Sequence, residues 1–111
     1  MESPIEMTKE ELFQELRRLG VSEAFLTFQQ QGGNLETEFP VCHGKDKKRV
    51  EPDTGLKFCL DEYMKEILAG ELPPGDGEEL AGSITLYLEE GYGEILYDRR
   101  VSQQVRQEFH L

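Results

Sequence analysis

Four side chains are of the kinds that most often bind metals or act as nucleophiles: Cys42, His43, Cys59 and His110. Zinc sites usually combine closely spaced pairs in which at least two residues separate the members. Cys42 and His43 are adjacent, and the other two residues are isolated. A catalytic cysteine would need an orienting group and an oxyanion hole, and no motif indicates either. We therefore expect no catalytic residue, no metal site and no cofactor.

Carboxylates are the abundant reactive groups, because 23 acidic residues outnumber 12 basic ones and give a formal net charge of −11. Paired carboxylates transfer protons or hold Mg²⁺ only in a cleft that shifts their pKa or fixes their geometry. The acidic residues here cluster at a glycine-rich turn and in a Pro/Gly-rich segment, where charged side chains are usually solvated. We predict a surface that binds a partner, formed by Glu89, Glu90, Tyr92, Glu94, Asp76, Glu78 and Glu79.

The only basic cluster contains Lys45, Lys47, Lys48 and Arg49. Against a charge of −11, so few cations favour neither nucleic-acid binding nor attraction to an anionic membrane. The glycines of 75–77 and 91–93 lack the spacing of a phosphate-binding loop. Two interpretations of the basic cluster stay open, a solvated loop or a contact with an acidic spot on a partner protein.

Two helices are predicted to position these groups. The first runs from a capping box at Thr8–Glu11 to about Leu19, with Gly20 as its end and with one apolar face formed by Leu12, Phe13, Leu16 and Leu19. The second runs from about Leu56 to Ala69, is capped by Asp53 or Thr54, and ends at Gly70. Its predicted buried stripe contains Leu56, Leu60, Met64 or Tyr63, Ile67 and Leu68, and Cys59 is expected at its side as a small buried hydrophobic residue.

Five strands are predicted from the alternation of apolar and polar residues, at 21–29, 35–41, 83–88, 94–98 and 101–111. The most regular part of the chain is 82–98, which reads as a hairpin with its turn at 89–93. The second predicted strand places Leu35, Thr37, Phe39 and Val41 inward and ends at Pro40 or lies at an edge. The last strand is expected to place Val101, Gln103, Val105, Gln107, Phe109 and Leu111 on one face.

The predicted fold is a single α+β domain over residues 1–111, in the order α-β-β-α-β-β-β. Both helices are expected on one face of a five-stranded, mainly antiparallel sheet. Residues 1–7 form a tail in this interpretation, and 42–55 and 71–81 are loops. An edge position for the last strand leaves both a monomer and a homodimer open.

We expect a soluble, cytoplasmic protein. The first residues lack the positive and apolar regions of a secretory signal. No apolar run approaches the ~20 residues needed to cross a bilayer. Two cysteines do not form a disulfide framework, so the thiols are expected to be reduced.

The sequence also resembles a family of small bacterial proteins of unknown function that are often encoded on plasmids and other mobile elements. The similarity lies in the opening T-K-E-E-L-F-Q-E-L-R-R-L-G-V, in the amphipathic helix at Leu56–Leu68, and in the segment G-Y-G-E-I-L-Y-D at Gly91–Asp98. The family pattern carries a tryptophan before its acidic turn, and this chain has none. The resemblance implies a fold and a mobile-element setting, and it implies no catalytic residues.

Two functions follow as hypotheses. The first is a non-enzymatic acidic module that binds a basic protein surface, in its narrowest form an antirestriction or anti-CRISPR inhibitor whose carboxylates imitate the phosphates of DNA. The second is a small ligand-binding or metal-dependent enzyme domain that uses Glu89, Glu94, Tyr92 and His110 near the turn. We favour the first, because nothing in the spacing of the second set requires a common site.

Overall fold

The structure, a computed structural model, describes residues 8–31, 34–72, 79–99 and 103–111. These residues form two helices, α1 (Lys9–Arg18) and α2 (Thr54–Glu71). They also form seven strands: β1 (Glu23–Gln31), β2 (Asn34–Thr37), β3 (Val41–His43), β4 (Arg49–Val50), β5 (Leu80–Tyr87), β6 (Tyr92–Arg99) and β7 (Gln103–His110). The predicted α+β class and the two helices are confirmed, whereas the prediction of five strands was wrong.

All seven strands belong to one antiparallel sheet with the order β4-β3-β1-β5-β6-β7. β3 pairs with the first residues of β1, and β2 pairs with its last residues. The two short strands therefore follow one another along the same edge of β1. The predicted 82–98 hairpin is confirmed as β5 and β6. Its strands, together with β1, form the centre of the sheet.

One face of the sheet, which we call the inner face, forms the core with both helices. On the central strands, the registers place Leu26 beside Ile84 and Ile84 beside Ile95, and each of these side chains is at most 1% exposed. The helices cover this face with seven buried apolar residues: Leu12, Phe13, Leu16, Leu56, Leu60, Met64 and Leu68. Truncating a single core leucine to alanine typically costs about 2–5 kcal/mol, so this layer dominates the stability.

The helix ends follow the predicted local chemistry. Thr8 and Glu11 form the capping box, and the Asp53 carboxylate accepts a hydrogen bond from the Leu56 amide at 2.8 Å, which selects Asp53 over Thr54 as the cap. Gly20 closes α1 at φ +89°, with the Val21 amide bonded to the Leu16 carbonyl. Neither helix in the described residues is long and apolar enough to cross a membrane.

Two predictions about helix ends were wrong. Leu19 caps α1 and is 45% exposed, so it does not belong to the buried face. Gly70 lies inside α2, which continues to Glu71. Glycine weakens a helix by only about 1 kcal/mol relative to alanine, and the buried contacts of Leu68 and Leu72 on either side favour its continuation.

The strand predicted at 35–41 divides into β2 and β3. β2 pairs Thr37 with Phe28, and the same register would pair Val41 with the inward-facing Ala24. Instead the chain leaves β1 around Pro40 and returns one residue out of step, so that Cys42 lies opposite Ala24. Because faces alternate residue by residue, this shift turns Val41 outward. Leu35 and Thr37 were placed correctly.

Two further corrections concern the same part of the chain. Phe39, predicted to face inward, is 58% exposed between the two short strands. The predicted loop 42–55 contains β4, because Arg49 and Val50 fold back onto His43 and Cys42. On β7, the inward placement of Val105, Gln107 and Phe109 agrees with the register, which sets them opposite Tyr97, Ile95 and Gly93. Val101 lies outside the described residues.

The Cys42 thiol supplies a prediction about the core. Its side chain is 1% exposed, and burial raises its pKa to about 11, although Lys57 partly opposes the shift. The folded state therefore retains the thiol proton more tightly than the unfolded chain, whose cysteine has a pKa near 9. The contribution of this thiol to the free energy of unfolding is fully present below about pH 9. It decreases by about 2 kcal/mol as the pH rises toward 11.

The measurement is urea unfolding of the wild type and of Cys42→Ala between pH 8 and 11. Burial also raises the pKa of Tyr63 and Tyr87, but these groups ionise in both proteins, so the difference in slope isolates Cys42. We expect a shallower loss of stability in Cys42→Ala. Parallel pH profiles would contradict the assignment.

Candidate functional site: the open face of the sheet

The second face of the sheet, which we call the open face, is not covered by either described helix. Its residues alternate with those of the core, and the registers align them in rows that run across the strands. One row contains His43, Glu23, Tyr87, Tyr92 and His110, and the next contains Val41, Phe25, Thr85, Glu94 and Glu108. Aromatic rings, carboxylates and both histidines of the chain therefore share one surface.

Tyr87 and Tyr92 form the centre of the first row. They pair at the base of the β5–β6 turn, and their rings stack with centroids 4.9 Å apart and planes 29° from parallel. Partial burial raises the pKa of Tyr87, and the nearby Glu94 and Glu23 carboxylates raise it further. The Tyr87 phenol thus stays neutral at physiological pH, and the two carboxylates lie near the stack. A stacked aromatic pair beside negative charge suits contact with a cationic side chain.

Glu94, in the second row, forms an ion pair with Arg106, which lies in the row next to it. Arg106 donates to Oε2 of Glu94 from Nε at 2.7 Å and from one terminal nitrogen at 2.5 Å. Glu94 is 8% exposed, whereas the Arg106 side chain is 68% exposed. The hydrogen bond to Glu94 and its charge raise the pKa of Arg106 further above its ordinary value. The guanidinium therefore covers the carboxylate and fixes it below the surface.

Apolar side chains complete the open face. Phe25, Val41 and Leu96 are half-buried, next to Thr85 and Ser83 on β5. Half-buried apolar residues between charged neighbours give a surface that can lose water on contact while its charges select the partner.

Five of the seven predicted site residues lie in the described part of the chain. Glu89 and Glu90 are exposed in the turn that follows β5, and Tyr92 begins β6 beside them. The turn occupies residues 88–91, so it begins one residue and ends two residues earlier than predicted, with the Gly91 amide bonded to the Tyr87 carbonyl. Glu89 forms an ion pair with Lys45 at 3.1 Å. These three predicted residues do adjoin one another and the open face.

Glu94 does not belong to the tip of the turn, which corrects its predicted position. Since Tyr92 already pairs with Tyr87, Glu94 lies two residues along β6 and is buried against Arg106. Glu79 lies just before β5, at the end away from the turn, and an eight-residue strand is about 23 Å long. Asp76 and Glu78 lie outside the described residues. Among the five described residues, Glu79 thus lies far from the turn and Glu94 is buried beside it.

Most basic side chains in the described ranges are already paired with acidic ones. The ion pairs are Arg18–Glu15, Lys45–Glu89, Arg49–Glu51, Lys57–Glu51, Lys65–Asp61 and Arg106–Glu94. Arg17 instead donates to the Leu88 carbonyl at 3.1 Å. In contrast, Glu23, Glu62, Glu66, Glu90 and Glu108 have no basic partner within 4.0 Å among the described residues. The unpaired surface charge is therefore mainly negative.

A cleft of about 720 Å³ lies between the end of α1, the β3–β4 loop and the β5–β6 turn. Lys45 and Lys48 of the basic cluster line it, together with Arg17. Asp46 and Glu89 line it as well, so the cations meet carboxylates within the cleft itself. In the parts of the chain that are described, no three metal-ligating side chains gather into a group.

Comparison of the chain with protein-family models, with curated proteins and with solved structures finds no match. The resemblance to a plasmid-borne family therefore stays a prediction.

Sequence reasoning missed Glu23, Tyr87 and Arg106 as members of the site. A signal was present, because Tyr87 alternates with the core residues Leu86 and Leu88 and must face away from them. The neighbours of Tyr87 across the strands depend on pairing between distant segments, which the alternation alone does not specify.

The Glu94–Arg106 pair supplies a prediction about the open face. Removing the exposed member leaves a buried carboxylate without its partner, whereas removing Glu94 leaves a guanidinium that water can solvate. We expect Arg106→Ala to lower the free energy of unfolding more than Glu94→Gln does. The double variant should recover part of the loss of Arg106→Ala. Urea unfolding of the three variants measures this, and equal losses in both single variants would contradict it.

Proposed function

We propose that the protein is a non-enzymatic acidic module that binds a basic surface of a partner protein through its open face. The observation that carries the proposal is the stacked Tyr87–Tyr92 pair, which has Glu23 beside it on the next strand and the acidic turn at the end of its own strands. Lysine and arginine side chains are attracted both to carboxylates and to the faces of aromatic rings.

The charge distribution supports the same conclusion. The formal charge of −11 attracts basic surfaces and accelerates their encounter. Since most described cations are already paired, they do little to offset the unpaired carboxylates at a distance. The half-buried Phe25 and Leu96 add apolar area for contact beside the charges.

The narrower form of the proposal is an inhibitor that occupies the nucleic-acid groove of an enzyme, in the cytoplasm and in a mobile-element setting. Its support is the net charge and the sequence resemblance described above. A groove that binds duplex DNA is complementary to one negative charge per roughly 1.7 Å along the helix axis. Glu89 and Glu90 at the turn, with Glu23 on β1, are the carboxylates proposed to meet its cations.

The test begins with affinity capture from cells that produce the protein, followed by measurement of the dissociation constant for each recovered partner. The test variant is Glu23→Lys/Glu90→Lys, which reverses two unpaired charges beside the tyrosine stack and leaves the Glu94–Arg106 pair intact. We expect a basic partner whose binding weakens about tenfold or more in this variant and also weakens with added salt.

The matched control is Glu62→Lys/Glu66→Lys, which makes the same change in net charge on the exposed side of α2. This variant should bind nearly as well as the wild type. Equal weakening in both variants would mean that overall charge, and not the open face, determines binding. Unchanged binding in the open-face variant would refute the proposal, as would partners without a basic surface.

A further inference from the structure

β7 is the last strand of the sheet, and within the described residues no strand pairs with its second edge. It is eight residues long and pairs with β6 without a bulge. Val105, Phe109 and Leu111 face the helices but are only partly buried. A long, regular edge with incompletely buried apolar residues is suited to pairing with another strand.

The backbone directions in β7 follow from one hydrogen bond. The Leu111 amide donates to the Gly91 carbonyl of the neighbouring chain segment at 3.0 Å, so the odd-numbered residues of β7 direct their backbone groups toward β6. The even-numbered residues therefore direct theirs toward the open edge: Gln104, Arg106, Glu108 and His110. Four N–H groups and four C=O groups are thus available for an added strand.

The side chains of β7 are complementary to themselves in one antiparallel register. With Gln107 opposite Gln107, Arg106 of each copy lies opposite Glu108 of the other, and Val105 lies opposite Phe109. This register also aligns Gln104 with His110. Registers centred on Arg106 or Glu108 would instead set identical charges opposite each other, which is unfavourable.

Within one chain, no described basic side chain forms an ion pair with Glu108. Across β6 and β7 it lies opposite Glu94, a like charge, while Arg106 is already bound to Glu94. Arg106 uses Nε and one terminal nitrogen for that contact and is 68% exposed, so its other terminal nitrogen can reach a second carboxylate.

We propose that two copies of the chain pair through β7, antiparallel and centred on Gln107, to form a homodimer with one continuous sheet. The two-fold axis is perpendicular to the sheet, because paired residues must lie on the same face. Arg106 of each copy lies between its own Glu94 and Glu108 of the other copy. Both open faces point the same way, and the proposal does not depend on the partner protein proposed above.

The first test is the molar mass by light scattering and sedimentation equilibrium over a range of protein concentrations. We expect twice the mass of one chain in the wild type. Glu108→Arg sets arginine opposite arginine in the dimer but opposite Glu94 within its own chain, so it should dissociate the dimer and keep the fold. We expect its dissociation constant to rise about tenfold or more.

The matched control is Glu62→Arg, an identical charge change on the exposed side of α2, which should leave the dimer intact. Circular dichroism and thermal unfolding verify that both variants fold. A single-chain mass for the wild type up to its solubility limit would overturn the proposal. So would a dimer of unchanged strength in Glu108→Arg.

The second test examines the register. In Gln107→Cys the two introduced thiols face each other across the axis, with Cα atoms about 4.5 Å apart, which permits a disulfide. In Gln104→Cys the thiols lie six residues out of step, or about 20 Å apart. On mild oxidation, a covalent dimer should form with Gln107→Cys and with neither Gln104→Cys nor the wild type. Equal cross-linking of the two cysteine variants would refute this register.

Discussion

Burial of the inner face beneath α1 and α2 is the interaction on which the rest of the structure depends. It fixes Leu26, Ile84 and Ile95 beneath the helices and thereby fixes which face every other strand residue occupies. A one-residue slip would expose this entire apolar set. The packing of the core therefore determines which residues lie on the open face, including those that contribute little to folding.

The open face combines features that do not minimise the free energy of folding. A carboxylate buried against an exposed guanidinium gives little net stability, because desolvation offsets most of the attraction. A tyrosine stack on an uncovered face leaves aromatic area in contact with water. Features of this kind contribute little to folding, and the proposed binding of a basic partner rests on them.

Locally encoded elements could be predicted well. The capping box at Thr8–Glu11, the closing glycine at Gly20 and the alternation in 82–98 each depend on neighbours within a few residues. β3 and β4 could not be predicted in this way. They are three and two residues long, and they form only because β1 offers a free edge to which Cys42 can return. The candidate site was predicted in part, because the turn was recognised but its neighbours were not.

The sequence by itself determined the fold class, the two helices, the central hairpin and the strong negative charge, because these depend on composition and on short periodicities. The tertiary structure decided the register of β1 against β3, the burial of Glu94 and the row that joins Glu23, Tyr87 and Tyr92. Each of these contacts unites segments that are distant along the chain. Their relative alignment follows from the packing of the whole core and not from any local pattern.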